Sequence, residues 1–281
     1  MPDEKISING IETYILYENL TSQRESTDKT DVNRVPFVVQ HGHTANHNYV
    51  KPIFDYFADH GWPVVSFDWR GHGWSEKGLS GNYTMDDCVE DLSAVYNEFL
   101  NNRFGYKKFE LLGHSMGGFI ALKYALKYPE TLHKLVLLST GPVLAYNFII
   151  KIGLKFMINR YRHNYDHWFN KKKDGHEKLG LEFFPHWEDT SLMPDRDATI
   201  EFLEDMKDYD VRPQLHEIQV PTFVCVGSED RFVRGSKTLA EKIPGAKLRI
   251  MEGYVHNIPI HARDVLPQVL MNFLESRTSS K

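Results

Sequence analysis

Cysteine is scarce in this chain: of 281 residues only Cys88 and Cys225 carry thiols, far apart and in no CxxC pair. That excludes a disulfide-stapled scaffold and a cysteine-based zinc motif. Cys225 lies inside the apolar run TFVCVG, where a buried free thiol is expected. Positive charge is not in excess either. The formal net charge of −5 argues against a nucleic-acid partner, which would call for a basic face. A long apolar run is also missing. The longest apolar helical stretch, Val143 to Tyr161, is broken by Asn147, Lys151 and Lys155, so no stable membrane insertion is expected. MPDEKISING has no basic region followed by an apolar one, so no leader peptide is expected, and with few cysteines a cytoplasmic protein is. Neither an internal repeat nor a low-complexity tract is present.

What is there reads as one soluble globular chain, 41% apolar and 25% charged, long enough to bury a sizeable core. KISI, Asn9-Gly10 and IETYILYE form a hairpin signal, since Asn-Gly tolerates the positive φ of a two-residue turn. Residues 20–34 are polar and read as an exposed connection. Short apolar runs then alternate with amphipathic stretches. VPFVVQ, PVVSFD, FELLGH, HKLVLLST, TFVCVG and KLRIMEG predict strands. Residues 48–60, 85–102, 116–128, 235–243 and 263–276 predict helices. Runs that are continuously apolar predict strands buried on both faces of a mostly parallel sheet, so the fold class is α/β, a parallel central sheet flanked by helices. In such sheets sites lie beyond the carboxyl ends of the strands. Residues 141–212 break the rhythm and predict a helical cap, leaving 1–140 and 213–281 as the core.

The central chemical signal is Gly113-His114-Ser115-Met116-Gly117, set between a strand and a helix. Glycines suit a sharp turn that holds Ser115 proud of the sheet, over a helix N-terminus that favours developing negative charge. A helix-capping serine is the bland alternative. Serine needs a base, and His256 follows the last predicted strand, which distinguishes it among fourteen histidines. A base needs an orienting acid, and Asp230 follows strand TFVCVG, with its neighbour Glu229 as competitor. The oxyanion requires two backbone donors: the N–H of Met116, after the nucleophile, and that of His43 in the loop HGHT at 41–44.

Together HGHT, DWRGHGWS at 68–75, GHSMGG at 113–118 and the Asp230/His256 pair resemble the α/β-hydrolase superfamily, in its capped esterase, lipase and peptidase branch. The resemblance spans nearly the whole chain and implies the triad order Ser115, Asp230, His256. It also implies a structural role for Asp68, Arg70, Gly71, Gly73 and Ser75. Many relatives have Gly-His where this chain has Val255-His256. Serine at position 115 sets aside the dehalogenases and epoxide hydrolases of the superfamily, which use aspartate there.

The expected activity is hydrolysis of a small-molecule carboxylic ester, of short to medium chain, without cofactor or metal. A peptidase or amidase, a C–C hydrolase and a triad-retaining ligand receptor are alternatives. A metal site on His41, His43 and His47 is a weaker one, because the expected Asp-His pair is absent. Within the cap, Ala145, Ile149, Ile152 and Phe156 are candidates for an acyl-binding wall, though packing against the core would explain them too. Glu201, Glu204 and Asp205 are candidates for anchoring a peptide amine. Lys151, Lys155, Arg160, Arg162 and Lys171 to Lys173 form a basic cluster that suits a solvated face or an anionic lipid surface.

Overall fold

A computed structural model of the chain describes residues 2–23, 34–178 and 190–276. The first two strands, β1 (Asp3–Ile8) and β2 (Ile11–Glu18), form the expected hairpin. Asn9 and Gly10 take φ of 50° and 78°, the double positive φ of a type I′ turn. The chain then alternates through β3 (Phe37–Gln40), α1 (His47–Asp59), β4 (Val64–Phe67), α2 (Met85–Ala94), β5 (Phe109–His114), α3 (Met116–Lys127) and β6 (Leu132–Leu138). Among the described residues α4 (Phe148–Lys178) and α5 (Arg196–Asp208) follow, before the alternation resumes with β7 (Thr222–Gly227), α6 (Val233–Lys242), β8 (Lys247–Met251), α7 (Ile258–His261) and α8 (Leu266–Glu275).

The eight strands form one sheet in the order β1-β2-β4-β3-β5-β6-β7-β8. β2 runs antiparallel to both neighbours, and every pairing from β4 to β8 is parallel. Period-two alternation splits the strand residues between two cores. Val38, Leu111, Leu135, Leu137 and Val224 face the layer holding α2, α3 and α6. Phe37, Val39, Leu112, Val136, Leu138 and Cys225 face α1 and α8. Such positions are fully apolar because neither face meets water, and each buried side chain contributes about 1.5–3 kcal/mol. Both cysteines are buried free thiols.

Local signals set most helix starts. The Thr84 side chain accepts from the Asp87 N–H while the Asp87 carboxylate accepts from the Thr84 N–H, a capping box that opens α2. The predicted 85–102 helix is regular only to Ala94 and continues as a π-helical stretch over Val95–Arg103. Between β6 and β7 no strand lies among the described residues, only an isolated bridge from Val143 to Asp210 that pins the base of the insertion. α4 bends at Asn164, whose φ of −143° is not helical. Residues 24–33 of the expected exposed connection, and the side chains of Lys171 to Lys173, lie outside the described residues. No described helix is long and apolar enough to cross a membrane.

Candidate active site

β5 ends at His114 and α3 begins at Met116, so the chain must reverse at Ser115. It does so with φ 54° and ψ −114°, a strained backbone for a residue with a Cβ, costing on the order of 1–3 kcal/mol. The surroundings enforce it. The Ser115 carbonyl accepts from the Gly118 N–H at 2.9 Å and the Thr140 hydroxyl at 2.9 Å, and its N–H donates to the Leu138 carbonyl at 3.0 Å. Glycine is required beside it by space. A Cβ on Gly113 would lie 2.2 Å from the Gly117 carbonyl oxygen, and one on Gly117 would lie 2.5 Å from that of His41.

Asp230 follows β7 and His256 follows β8, so parallel pairing delivers both to the same sheet edge as Ser115. His256 Nε2 lies 3.0 Å from Ser115 Oγ, and its Nδ1 lies 3.2 and 3.1 Å from the two Asp230 carboxylate oxygens. A carboxylate only accepts, so Nδ1 carries the proton and the Nε2 lone pair faces the serine hydroxyl. Burial pushes the Asp230 carboxyl upward, but the hydrogen bond and charge of His256 and the Phe232 N–H outweigh it and hold the group below the ordinary carboxylate range. Asp230 is thus ionised under the imidazole. Its competitor Glu229 is exposed on the rim of the cavity.

The loop 41–44 lies against the serine, since a Cβ on Gly42 would stand 3.0 Å from Ser115 Cβ. Burial holds His41 and His72 neutral, and each ring nitrogen has a complementary partner. His41 Nδ1–H donates to the Gly42 carbonyl at 2.9 Å while Nε2 accepts from the Trp69 N–H at 3.2 Å. His72 does the same between the Arg70 carbonyl and the Thr44 N–H. His47 binds Asp68 at 2.8 Å, and Asp68 also accepts from the His47 and Trp74 N–H groups. Asp68 therefore ties 41–47 to the 68–75 loop. That loop is fixed in turn by the two-point Arg70–Asp91 pair, both contacts 2.7 Å. His43 differs, donating from Nε2 to the Thr199 carbonyl of α5 at 2.9 Å and so linking the insertion to this loop. The trio His41, His43 and His47 is thus spent on separate partners, and no described group of three or more His, Cys, Asp or Glu is placed to hold a metal ion.

A cavity of about 400 Å³ opens over Ser115, lined by Gly42, His43, Thr44, Tyr49, His114, Glu229, Arg231, Val255 and Asn257 among others. Met116, the other expected oxyanion donor, is the buried first residue of α3. None of the four cap candidates lines this cavity. Ala145 is buried beside a separate cavity of about 300 Å³. Ile149 and Phe156 are 79% and 74% exposed, and Ile152 is exposed as well. They sit outside because the inner seam of α4 is carried instead by Ile158 and Tyr161. Sequence reasoning passed over Tyr49, His114, Arg231 and Asn257. The Tyr49 hydroxyl donates to the Asn257 side-chain oxygen at 3.0 Å, bracing the residue next to His256. His114 Nε2–H donates to the His256 carbonyl at 3.1 Å; burial, then the adjacent His256, pushes this histidine down to about 3 and keeps it neutral. For His114, Arg231 and Asn257 the only signal was adjacency to Ser115, Asp230 and His256, and for Tyr49 there was none. The amine-anchor candidates are engaged: Glu201 with the Gly81 N–H, Asp205 with the Met85 N–H, and Glu204 with Arg162.

The profile of the family described as serine aminopeptidase, S33, matches residues 31–261. A proline iminopeptidase of Saccharolobus solfataricus is 27% identical over 272 residues, which cover 86% of this chain and 85% of that protein. A 2-hydroxy-6-oxononadienedioate/2-hydroxy-6-oxononatrienedioate hydrolase of Escherichia coli is 27% identical over 255 residues, covering 83% of each. Among solved structures, an esterase from Exiguobacterium antarcticum superposes with a TM-score of 0.81 at 22% identity, covering 98% of this chain and 100% of that one. This last likeness shows the fold.

Proposed function

The chain belongs to the α/β-hydrolase superfamily, in the serine aminopeptidase S33 family, and on that premise we propose that it is a serine hydrolase acting on small carboxylic esters through an acyl-enzyme on Ser115. The observation that carries this reading is the relay of Ser115 Oγ, His256 and Asp230, with contacts of 3.0 and 3.1 Å. Ser115 Oγ attacks the ester carbonyl as His256 Nε2 takes its proton. Asp230, ionised and buried, stabilises the imidazolium. The N–H groups of Met116 and His43 receive the oxyanion, and the strained turn at Ser115 orients the first of them. His256 then protonates the leaving alcohol. Water, deprotonated by the same imidazole, attacks the acyl carbonyl, and Ser115 leaves with the proton returned.

The volume of about 400 Å³ supports a short acyl group over a long one. Amide cleavage is the second reading. It is favoured by the Glu229 carboxylate on the cavity rim, which stands where an amine of a bound substrate could pair with it. The test is a p-nitrophenyl ester series from acetate to palmitate beside proline and alanine p-nitroanilides, for the wild type and Ser115→Ala. Ester turnover that peaks at short chains and vanishes in the variant is the expected result. Turnover of anilides alone, lost in Glu229→Gln, would replace the ester reading with the peptidase one. Folded protein silent on every substrate would move the reading to a C–C hydrolase or a ligand receptor.

A further inference from the structure

Most exposed large apolar side chains of the described structure gather on one element. Phe148, Ile149, Ile150, Ile152 and Phe156 all lie near the start of α4, and three of them are more than 70% exposed. At about 100° of turn per residue, positions 148, 149, 152 and 156 fall within an arc of roughly 100°. The opposite face is the buried one, carrying Ile158 and Tyr161. The outward stripe therefore has no partner within the described fold.

Charge identifies what covers it. Residues 148–163 contain Lys151, Lys155, Arg160 and Arg162 and no acidic side chain, in a chain whose net charge is −5. On the same projection Lys151 and Lys155 border one edge of the stripe and Arg160 the other. Lys151 and Arg162 are paired with Asp208 and Glu204 of α5. Lys155 and Arg160 are exposed and meet no acidic group among the described residues. An apolar arc flanked on both sides by cations is the pattern of a helix that lies in a lipid interface, with its apolar side chains among the acyl chains and its cations at the headgroups. A second copy of the chain fits poorly, because two such faces would bring like charges together with no acid to offset them.

We propose that the outer face of α4 over residues 148–163 docks reversibly on anionic phospholipid surfaces. Docking is independent of the hydrolytic assignment and is read without any substrate. The full chain is sedimented with vesicles of phosphatidylcholine alone and with vesicles containing one third phosphatidylglycerol, at low and high salt. The wild type is expected to pellet with the anionic vesicles, to be released by salt, and to stay in solution with the zwitterionic ones. Lys155→Gln with Arg160→Gln should weaken the apparent partition about 30-fold, from roughly fivefold per juxtamembrane cation. Phe148→Ser with Ile149→Ser should abolish pelleting while all charges remain. Circular dichroism melting checks that each variant is folded. Absence of pelleting with anionic vesicles, or variants that pellet as the wild type does, would overturn the proposal. So would a concentration-dependent dimer lost in Phe148→Ser, which would make the occupant a second copy.

Discussion

Asp230→Asn isolates the electrostatic part of the proposed relay from its shape. Asparagine is nearly isosteric with aspartate. Its amide oxygen can still accept from the Phe232 N–H, which now donates to Asp230 Oδ1 at 2.9 Å. Its amide nitrogen, however, presents N–H groups to His256 Nδ1, at the 3.1 Å contact where the carboxylate now accepts. Nδ1 must then be the bare nitrogen and Nε2 the protonated one. Nε2 stands 3.0 Å from Ser115 Oγ and in that tautomer can no longer take its proton. The imidazolium that forms on attack also loses its counter-charge. Disruption of this kind costs on the order of 10⁴ in rate, or about 5 kcal/mol of transition-state stabilisation.

A fluorophosphonate probe gives the cleanest assay, because its reaction with Ser115 reports activation of the nucleophile whatever the natural substrate is. The second-order labelling constant of Asp230→Asn should fall by roughly 10³–10⁴ relative to the wild type. The melting temperature should move by only a few degrees, since a neutral hydrogen bond of the same shape replaces the charge-assisted one. Labelling slowed less than tenfold in a folded variant would refute the claim that Asp230 sets the tautomer, and would redirect the search for the acid to Glu229.

Three other outcomes follow from the geometry. Gly117→Ala places a methyl group 2.5 Å from the His41 carbonyl oxygen, so it should destabilise by more than ~2 kcal/mol, whereas Gly153→Ala on exposed α4, with nothing within 4 Å, should stabilise by about 0.5–1 kcal/mol; thermal melts that fail to separate the two would contradict the packing. Burial depresses His41 to about 4 and His114 to about 3 from 6.5, so the unfolded chain binds protons first as pH falls. Stability is then complete above pH 6.5 and declines toward pH 4, by about 2 kcal/mol per histidine at pH 5; a urea midpoint flat over this range would count against neutral, buried rings. His43→Ala removes the bond to the Thr199 carbonyl but keeps the backbone N–H; kcat should fall modestly, less than in Ser115→Ala, and a loss as complete as in Ser115→Ala would mean that the side chain itself acts in the chemistry.

The parts of the fold that were legible in the sequence are those governed by short-range rules. Asn9-Gly10 demanded a type I′ turn, runs such as TFVCVG demanded a strand with two buried faces, and the site residues follow strand ends because parallel topology sends every such end to one edge. What was illegible depends on partners distant in sequence. The π-helical stretch over Val95–Arg103 keeps the amphipathic pattern of the helix before it, so periodicity passes through the irregularity unmarked. Tyr49 sits on the buried side of α1 and looks like core until its hydroxyl is seen on Asn257, more than two hundred positions away.

The insertion shows where apolarity misleads. Ile149, Ile152 and Phe156 were candidates for a pocket wall because apolar side chains are expected to seek cover, yet that rule runs one way only. A helix with a single inner seam can satisfy its packing with Ile158 and Tyr161 and leave other apolar residues in solvent. The cavity over Ser115 is lined instead by the loop after β3, Tyr49 of α1, His114, and the segments after β7 and β8. These loops are tied down by buried contacts: Asp68 on His47, His41 on Trp69, Tyr49 on Asn257 and His114 on His256. Such a cavity is shaped by rigid core loops and touches the insertion through the His43–Thr199 bond. Changes on the outer face of α4 should therefore alter where the protein sits, and changes at Tyr49, Arg231 or Val255 should alter what fits over the serine.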